Sequence, residues 1–239
     1  MSSSLKKIAL VTGATSGIGK NIAYKLLANG IDVIFTGRNF DGMEKEISRL
    51  SPPYNSYHFI KADLLLDEDM NKLIKRVVEI TDRIDILVHS AGIIDIGSIE
   101  ESDISGLETM FKLNVKAPYF ISQKLLPAIK KQKGIIVFIN STAGLDSWAN
   151  ISQYAASKHA LTAITKSLRE EAAPFGIKVI SIHPGGTDTP MQKQIQQLEG
   201  KKYDPSLFMP PELVADTVIQ AIKSSNSSVA LDIIIKPTP

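Results

Sequence analysis

Tyr154 and Lys158 lie four residues apart in a stretch, Tyr154-Ala155-Ala156-Ser157-Lys158, whose pattern reads as helix. On a helix, positions i and i+4 are neighbours on one face, which would set a phenol beside an ammonium. The cation favours phenolate and so lowers the phenol's pKa. A free tyrosine titrates at about 10, so bringing it to about 7 takes about 4 kcal/mol. One ammonium at about 4 Å, in an effective dielectric of about 20, supplies about 4 kcal/mol. A bound cation nearby would add to this, and burial would subtract. The pair could therefore form a general acid–base of useful pKa.

The spacing alone is cheap, because Tyr57 and Lys61 repeat it. Their segment reads as a strand, where four residues span about 13 Å, so those two side chains cannot couple. Tyr154 has better company. Ser141 follows an apolar strand at residues 135–139, at the end where sheets of alternating strands and helices bind ligands. A hydroxyl there could donate to a substrate carbonyl oxygen. Asn114 falls inside a helical stretch, where asparagine is a poor former. Taken alone, it would be expected to face solvent.

A second chemical feature sits near the amino-terminus. Thr12-Gly13-Ala14-Thr15-Ser16-Gly17-Ile18-Gly19 joins a strand to a helix. At such a junction one glycine permits a tight turn, one lets backbone approach a pyrophosphate, and one lets helix pack on strand. The helix N-terminus then offers unpaired N–H groups to an anion. The spacing is Gly-x-x-x-Gly-x-Gly rather than Gly-x-Gly-x-x-Gly. The end of the second strand reads Phe35-Thr36-Gly37-Arg38-Asn39. A carboxylate there would accept from an adenosine 2′-hydroxyl, and an arginine would pair with a 2′-phosphate. Arg38 is the charged residue in place, so NADP(H) is expected over NAD(H). Asp63, after the third strand, suits either the adenine amino group or a helix cap for the residues that follow.

These residues need elements to position them, and the chain supplies strand–helix alternation. Apolar runs at residues 8–11, 33–36, 57–62, 84–88, 135–139, 179–182 and 231–235 read as strands. Helical spacing marks residues 17–29, 43–50, 67–80, 102–131, 152–173 and 211–223. Strands apolar on both faces imply a parallel sheet covered by helices on both sides. The expected fold class is therefore α/β, a doubly wound, Rossmann-like parallel sheet, as one domain over residues 1–239. The one long irregular segment, residues 185–210, reads as a lid over the substrate within that domain.

Composition narrows the classes further. Of 239 residues, 44% are hydrophobic and 22% charged, which fits a globular domain and argues against disorder. A net charge of +2 gives no reason to expect nucleic acid as a partner. The chain has no cysteine, so disulfides, thiolate metal sites and a thiol nucleophile are excluded. No apolar run approaches the roughly 18 residues of a bilayer span, and the amino-terminal apolar stretch is short for a signal peptide. A cytoplasmic protein without membrane contact is expected. His89, His159 and His183 share no metal-ligand spacing and have no acid cluster, so packing or solvent exposure is expected of each, and no metal. The strand–turn–helix slot lacks Gly-x-Ser-x-Gly, which argues against a serine hydrolase.

Taken together, Thr12-Gly-x-x-x-Gly-Ile-Gly19, Ala91-Gly92, Asn114, Ser141, Tyr154-x-x-x-Lys158 and Pro184-Gly185 resemble the short-chain dehydrogenase/reductase family in its short single-domain branch. The resemblance covers residues 7–235, nearly the whole chain. It implies that Tyr154 is the general acid in carbonyl reduction or the base in alcohol oxidation. It implies that Lys158 lowers the phenol's pKa and holds the nicotinamide ribose, and that Ser141 polarises the carbonyl. Asn114 would hold a water in a proton relay from Lys158. Gly13, Thr15, Ser16, Gly17, Ile18, Gly19, Arg38, Asp63, Ala91, Gly92, Tyr154, Lys158, Pro184, Gly185, Thr187 and Thr189 would bind the cofactor. Thr187 and Thr189 would do so at the carboxamide or phosphate. The resemblance also implies a homodimer or homotetramer. The helices around Asn114 and Tyr154 would pair, and Ala155, Ala156, Ala160 and Ala163 would permit close approach.

The chain departs from the family in two places. Asn-Asn-Ala-Gly is common after the fourth strand, and here it is His89-Ser90-Ala91-Gly92. The ending Asp232-Ile-Ile-Ile-Lys-Pro-Thr-Pro239 lacks the glycines of the fatty-acid-synthesis reductases. Ile93, Ile94, Leu145, Trp148 and Met191 follow strand ends near Tyr154 and are candidate pocket walls for a hydrophobic carbonyl compound. The expected activity is an NADP(H)-dependent oxidoreductase that interconverts a ketone or aldehyde and an alcohol, most simply as a reductase. An NAD-linked alcohol dehydrogenase and a catalytically silent nucleotide-binding regulatory protein stay open as alternatives.

Overall fold

The computed structural model describes residues 6–50, 56–223 and 229–238. The first five residues, on which part of the amino-terminal reading rests, lie outside it. In chain order the elements begin β1 (Ile8–Thr12), α1 (Gly17–Ala28), β2 (Asp32–Gly37), α2 (Met43–Ile47), β3 (Tyr57–Lys61) and α3 (Asp67–Ile80). They continue through β4 (Ile86–His89), α4 (Ile104–Phe111), α5 (Ala117–Gln132), β5 (Ile135–Ile139) and α6 (Ser152–Ala172). The chain closes with β6 (Lys178–Pro184), α7 (Pro190–Leu198), α8 (Pro211–Lys223) and β7 (Asp232–Ile235).

The strands form a 7-stranded sheet in the order β3-β2-β1-β4-β5-β6-β7. Every pairing is parallel. Strand alternation divides the apolar residues between two cores. Ala9, Val11, Val33 and Phe35 pack on one face with Ile22 and Leu26 of α1 and Val214 and Val218 of α8. Ile8, Leu10 and Ile34 pack on the other with Leu73 of α3, Ile121 and Leu125 of α5 and Leu161 of α6. Full burial of each such side chain contributes about 1.5–3 kcal/mol. A one-residue slip would exchange the two sets, so the register is strongly fixed.

The strand order reverses between β1 and β4, where crossovers leave in opposite directions. That reversal opens a crevice at the carboxyl ends of the strands, which is where the candidate residues gather.

Two expectations change. The stretch at residues 102–131 is not one regular helix: residues Lys112–Lys116 form a π-helical turn between α4 and α5. The segment at residues 185–210 is not irregular throughout. Thr189 caps α7 by accepting from the backbone N–H of Gln192, and Pro190 opens the first turn. The Thr-Pro start with Met191 and Ile195 one turn apart was a helix signal in the sequence.

Candidate active site

Tyr154 and Lys158 stand on one face of α6, one turn apart, as the spacing requires. Lys158 Nζ lies 5.7 Å from the centre of the Tyr154 ring. Both side chains are buried. Lys158 Nζ donates to the carbonyl oxygen of Ile139, at the end of β5, at 3.1 Å. The helix holding them packs against the 3₁₀ turn Thr142–Gly144, which follows β5 directly. Ser141 begins that turn, and its hydroxyl also bonds the Tyr154 phenol.

The electrostatics bear on the expected phenol–ammonium pair. Burial pushes the Tyr154 phenol up to about 12, although the Ser141 hydroxyl bonded to it acts in the opposite direction. Burial also pulls the Lys158 ammonium down to about 8. In the protein alone, desolvation outweighs the attraction between cation and phenolate. The ammonium is aimed at a backbone carbonyl, that of Ile139.

Asn114 departs from its solvent-facing default. It is only 1% exposed and lies in the π-helical turn. Its side-chain oxygen accepts from Ile93 N at 2.9 Å, and its nitrogen donates to Ile93 O at 2.9 Å and to Ser157 Oγ at 3.0 Å. The dilated turn thus places an amide against the loop that follows β4, where it pairs with the backbone N–H and C=O of Ile93. A Cβ on Gly92 would come 3.3 Å from Asn114 Oδ1 and 3.8 Å from Lys158 Nζ, which puts the three residues at one spot.

The glycine-rich turn is equally tight. Gly13 and Gly17 have positive φ, at 65° and 52°. A Cβ on Gly13 would lie 2.7 Å from Ala91 N, and one on Gly19 would collide with the Gly13 carbonyl oxygen. Ser90 Oγ lies 2.9 Å from that same Gly19 position, so the serine closes the packing there. Helix α1 starts at Ser16 with no side-chain cap and no acid in its first turn. Its first N–H groups therefore remain available to an anion.

These parts line one cavity of about 450 Å³. Gly13, Thr15, Ser16, Gly17, Ile18 and Gly19 form one end with Gly37, Arg38 and Asp63. Arg38 is exposed at the rim and has no carboxylate partner among the described residues. Asp63 accepts from Leu65 N at 3.0 Å, so it closes the turn before α3 while also reaching the cavity. The middle is lined by Ala91, Gly92, Ser141, Tyr154, Lys158, Pro184, Gly185, Thr187 and Thr189. Thr189 Cγ2 would lie 3.1 Å from a Cβ on Gly17, so the base of α7 touches the glycine-rich turn.

The far end is apolar. Ile93, Ile94, Trp148 and Met191 line it as the sequence suggested. Leu145 does not: it is 43% exposed and lies outside the cavity wall. The 3₁₀ turn after Ser141 directs Ala143, not Leu145, into the site. Sequence reading also missed Ile96, Ile151 and the inner stripe of α7, which presents Gln192, Ile195 and Gln196. Only the unrecognised helix could have signalled that stripe.

The ends of the expected lid are tied to each other. Asp188 N donates to Met209 O at 2.8 Å, and Met209 N to Gly186 O at 3.0 Å. The Tyr203 phenol donates to Asp188 Oδ1, and its ring stacks on Phe208 at 5.6 Å between centroids.

His89 serves packing, and His159 is exposed. His89 lies on Phe138 and bonds Ser122 Oγ at 2.8 Å, and burial lowers its pKa to about 3. Among the described residues no group of side chains could hold a metal ion, and no helix is long and apolar enough to cross a membrane.

Comparison with known proteins bears on the family and the fold. The family model for short chain dehydrogenases matches residues 7–200. An uncharacterized oxidoreductase of Staphylococcus epidermidis is 33% identical over 233 residues, 97% of each chain. Among solved structures, ElxO with NADP bound is 28% identical, with a TM-score of 0.84 over 97% of this chain and 98% of that one. A variant of actinorhodin polyketide ketoreductase with NADPH is 26% identical, with a TM-score of 0.87 over 97% of this chain and 96% of that one.

Proposed function

The chain belongs to the short-chain dehydrogenase family of oxidoreductases, and we propose that it is an NADP(H)-dependent reductase of an apolar ketone or aldehyde, with Tyr154 as proton donor. The observation that carries this reading is the meeting of Tyr154, Lys158 and Ser141 in one cavity with the glycine-rich turn and Arg38.

The residues fit a dinucleotide. The turn is a cradle that any Cβ at Gly13 or Gly19 would fill, and the uncapped start of α1 suits a pyrophosphate. Arg38 is free to pair with a 2′-phosphate. ElxO and the polyketide ketoreductase variant, both with NADP or NADPH, support the same coenzyme class. Gly92, Pro184, Gly185, Thr187 and Thr189 would hold the nicotinamide end. When bound, the cofactor supplies or accepts the hydride.

The protein's own part is orientation and proton transfer. Ser141 Oγ polarises the carbonyl oxygen. Tyr154 Oη donates the proton that completes the alcohol, and in the reverse direction accepts it. Lys158 restores the proton, with Asn114 beside it to hold a water that links the ammonium to solvent. The substrate end favours an uncharged, hydrophobic carbonyl compound: Ile93, Ile94, Ile96, Trp148, Ile151 and Met191 line it, and among the described residues no cation other than Lys158 lines it. A homodimer or homotetramer belongs to the same proposal. Phe111 and Tyr119, on α4 and α5, are 37% and 53% exposed and offer apolar contact area.

The test follows NADPH oxidation with an apolar diketone such as 1-phenyl-1,2-propanedione. Tyr154→Phe is expected to lower kcat by about 10²–10⁴-fold while NADPH still binds. Undiminished turnover in that variant would defeat the assignment.

A further inference from the structure

Ser141 has a second set of contacts that the proposed reaction does not use. Its carbonyl oxygen accepts from Gly144 N at 2.9 Å and lies 3.1 Å from His183 Nδ1. His183 is fully buried in β6. Its other ring nitrogen, Nε2, lies 3.4 Å from Asp232 Oδ1 on the edge strand β7. The second oxygen of Asp232 accepts from Arg169 Nη1 at 3.0 Å. Arg169 also donates to Leu231 O at 2.8 Å and Val179 O at 3.1 Å, so it ties α6 to both strands.

This arrangement closes a circuit. Helix α6 carries Tyr154 and Lys158 near its amino end and Arg169 near its carboxyl end. Through Arg169, Asp232 and His183 the same helix reaches Ser141 from behind. Burial works against the charge on Asp232, yet the Arg169 guanidinium and His183 hold its carboxyl below the usual range. Both groups that face the His183 ring, a carbonyl and a carboxylate, only accept hydrogen bonds. The ring can donate to either of them and so lies between the Ser141 carbonyl and the Asp232 carboxylate. His89 differs, since its partner is a hydroxyl that can donate or accept.

We propose that Arg169, Asp232 and His183 form a positioning chain that fixes Ser141 for carbonyl polarisation. The chain rests on the role given to Ser141 in the proposed function. Ser141 Oγ already accepts from Ala143 N at 3.1 Å, so the hydroxyl and the carbonyl are both held by the 3₁₀ turn. The histidine adds a third anchor, from β6. A catalytic group misplaced by about 1 Å can lose about 100-fold in rate.

His183 is the obvious residue to change, but its variants risk the fold. Asp232→Asn keeps the shape and removes the charge from the partly exposed end of the chain. Two measurements are made on it. Without substrate, NMR hydrogen exchange is followed at the Ala143 and Gly144 amides, with Leu10 in β1 as control. With NADPH and 1-phenyl-1,2-propanedione, kcat and KM are measured. We expect exchange at Ala143 and Gly144 to quicken about tenfold with Leu10 unchanged, kcat to fall about tenfold, and the KM for NADPH to stay within about twofold. Asp232→Glu should restore most of the rate. Unchanged exchange and kcat would overturn the proposal. So would losses shared equally by Leu10 and by NADPH binding, which would mark a merely structural strand. Selectively faster exchange in a protein that reduces no carbonyl would sustain the positioning chain and sink the proposed function instead.

Discussion

Lys158 Nζ stands 5.7 Å from the centre of the Tyr154 ring and 3.1 Å from the Ile139 carbonyl oxygen, with both side chains out of solvent. The ammonium is therefore held by backbone and not by a carboxylate. Folding keeps it without a counter-charge, and its pKa falls from 10.5 to about 8.

That shift has a stability consequence with a definite sign. A lysine whose folded pKa is depressed is harder to protonate in the folded state than in the unfolded chain. The resulting penalty is fully present below about pH 8 and is relieved as pH rises towards about 10.5, where the unfolded lysine also loses its proton. The difference corresponds to about 3 kcal/mol. Denaturant unfolding of the parent and of Lys158→Met at pH 7.5, 9 and 10 should show the parent gaining stability relative to the variant by an amount of that order. Parallel curves would mean that the ammonium is solvated. Tyr154 does not disturb this window, because its raised pKa of about 12 acts only above about pH 10, where it lowers stability as the unfolded phenol ionises first.

Asn114 predicts a loss of stability and turnover together. Its amide occupies the backbone N–H and C=O of Ile93 and the hydroxyl of Ser157. Asn114→Ala would strand these groups in a site that admits little water, at a cost of about 3 kcal/mol. Urea unfolding should show a lower midpoint with an unchanged slope, and NADPH-dependent turnover should fall at least about tenfold. A variant as stable as the parent would mean that water replaces the amide without loss.

How much of this was legible follows from which forces are local. The alternation of strands and helices was written in the apolar pattern, and the Tyr154–Lys158 pairing in helical geometry, so both were recoverable from the sequence. Asn114 was not, because its place depends on a π-helical turn set by contacts with Ile93, far away in the chain. The size of the burial contribution to the phenol's pKa was not legible for a similar reason. Spacing reports the neighbouring cation, but burial is a property of the assembled core. Leu145 was named because it follows the end of a strand near Tyr154, and the 3₁₀ turn before it carries it past the cavity.

Arg38 predicts coenzyme choice. It is exposed beside Gly37, and Thr15 packs so closely on Gly37 that no side chain fits there. A charge-assisted contact with a 2′-phosphate contributes about 1.5–3 kcal/mol. Arg38→Ala should weaken NADPH binding about tenfold or more by calorimetry and leave NADH binding within about twofold. The NADPH difference should shrink at high salt. Equal affinities for the two coenzymes in the parent would favour the NAD-linked alternative.

Tyr203 predicts how the segment over the substrate end behaves. The backbone pairing of residues 186–188 with 209 fixes its two ends, and the Tyr203 phenol adds a bond to Asp188. Helix α7 between them has no fully buried residue, so it is the part free to move. Burial, and then Asp188, raise the Tyr203 pKa to about 12, so the phenol keeps its proton and its bond across the physiological range. Tyr203→Phe keeps the stacking on Phe208 and removes only this bond, a change of about 1 kcal/mol. If α7 closes over substrate from that anchored base, the KM for the carbonyl probe should rise about fivefold while the affinity for NADPH barely changes. Steady-state kinetics with each substrate varied in turn would show it. A carbonyl KM equal to the parent's would mean that the anchored base and the substrate end are uncoupled, and that α7 is a fixed wall rather than a lid.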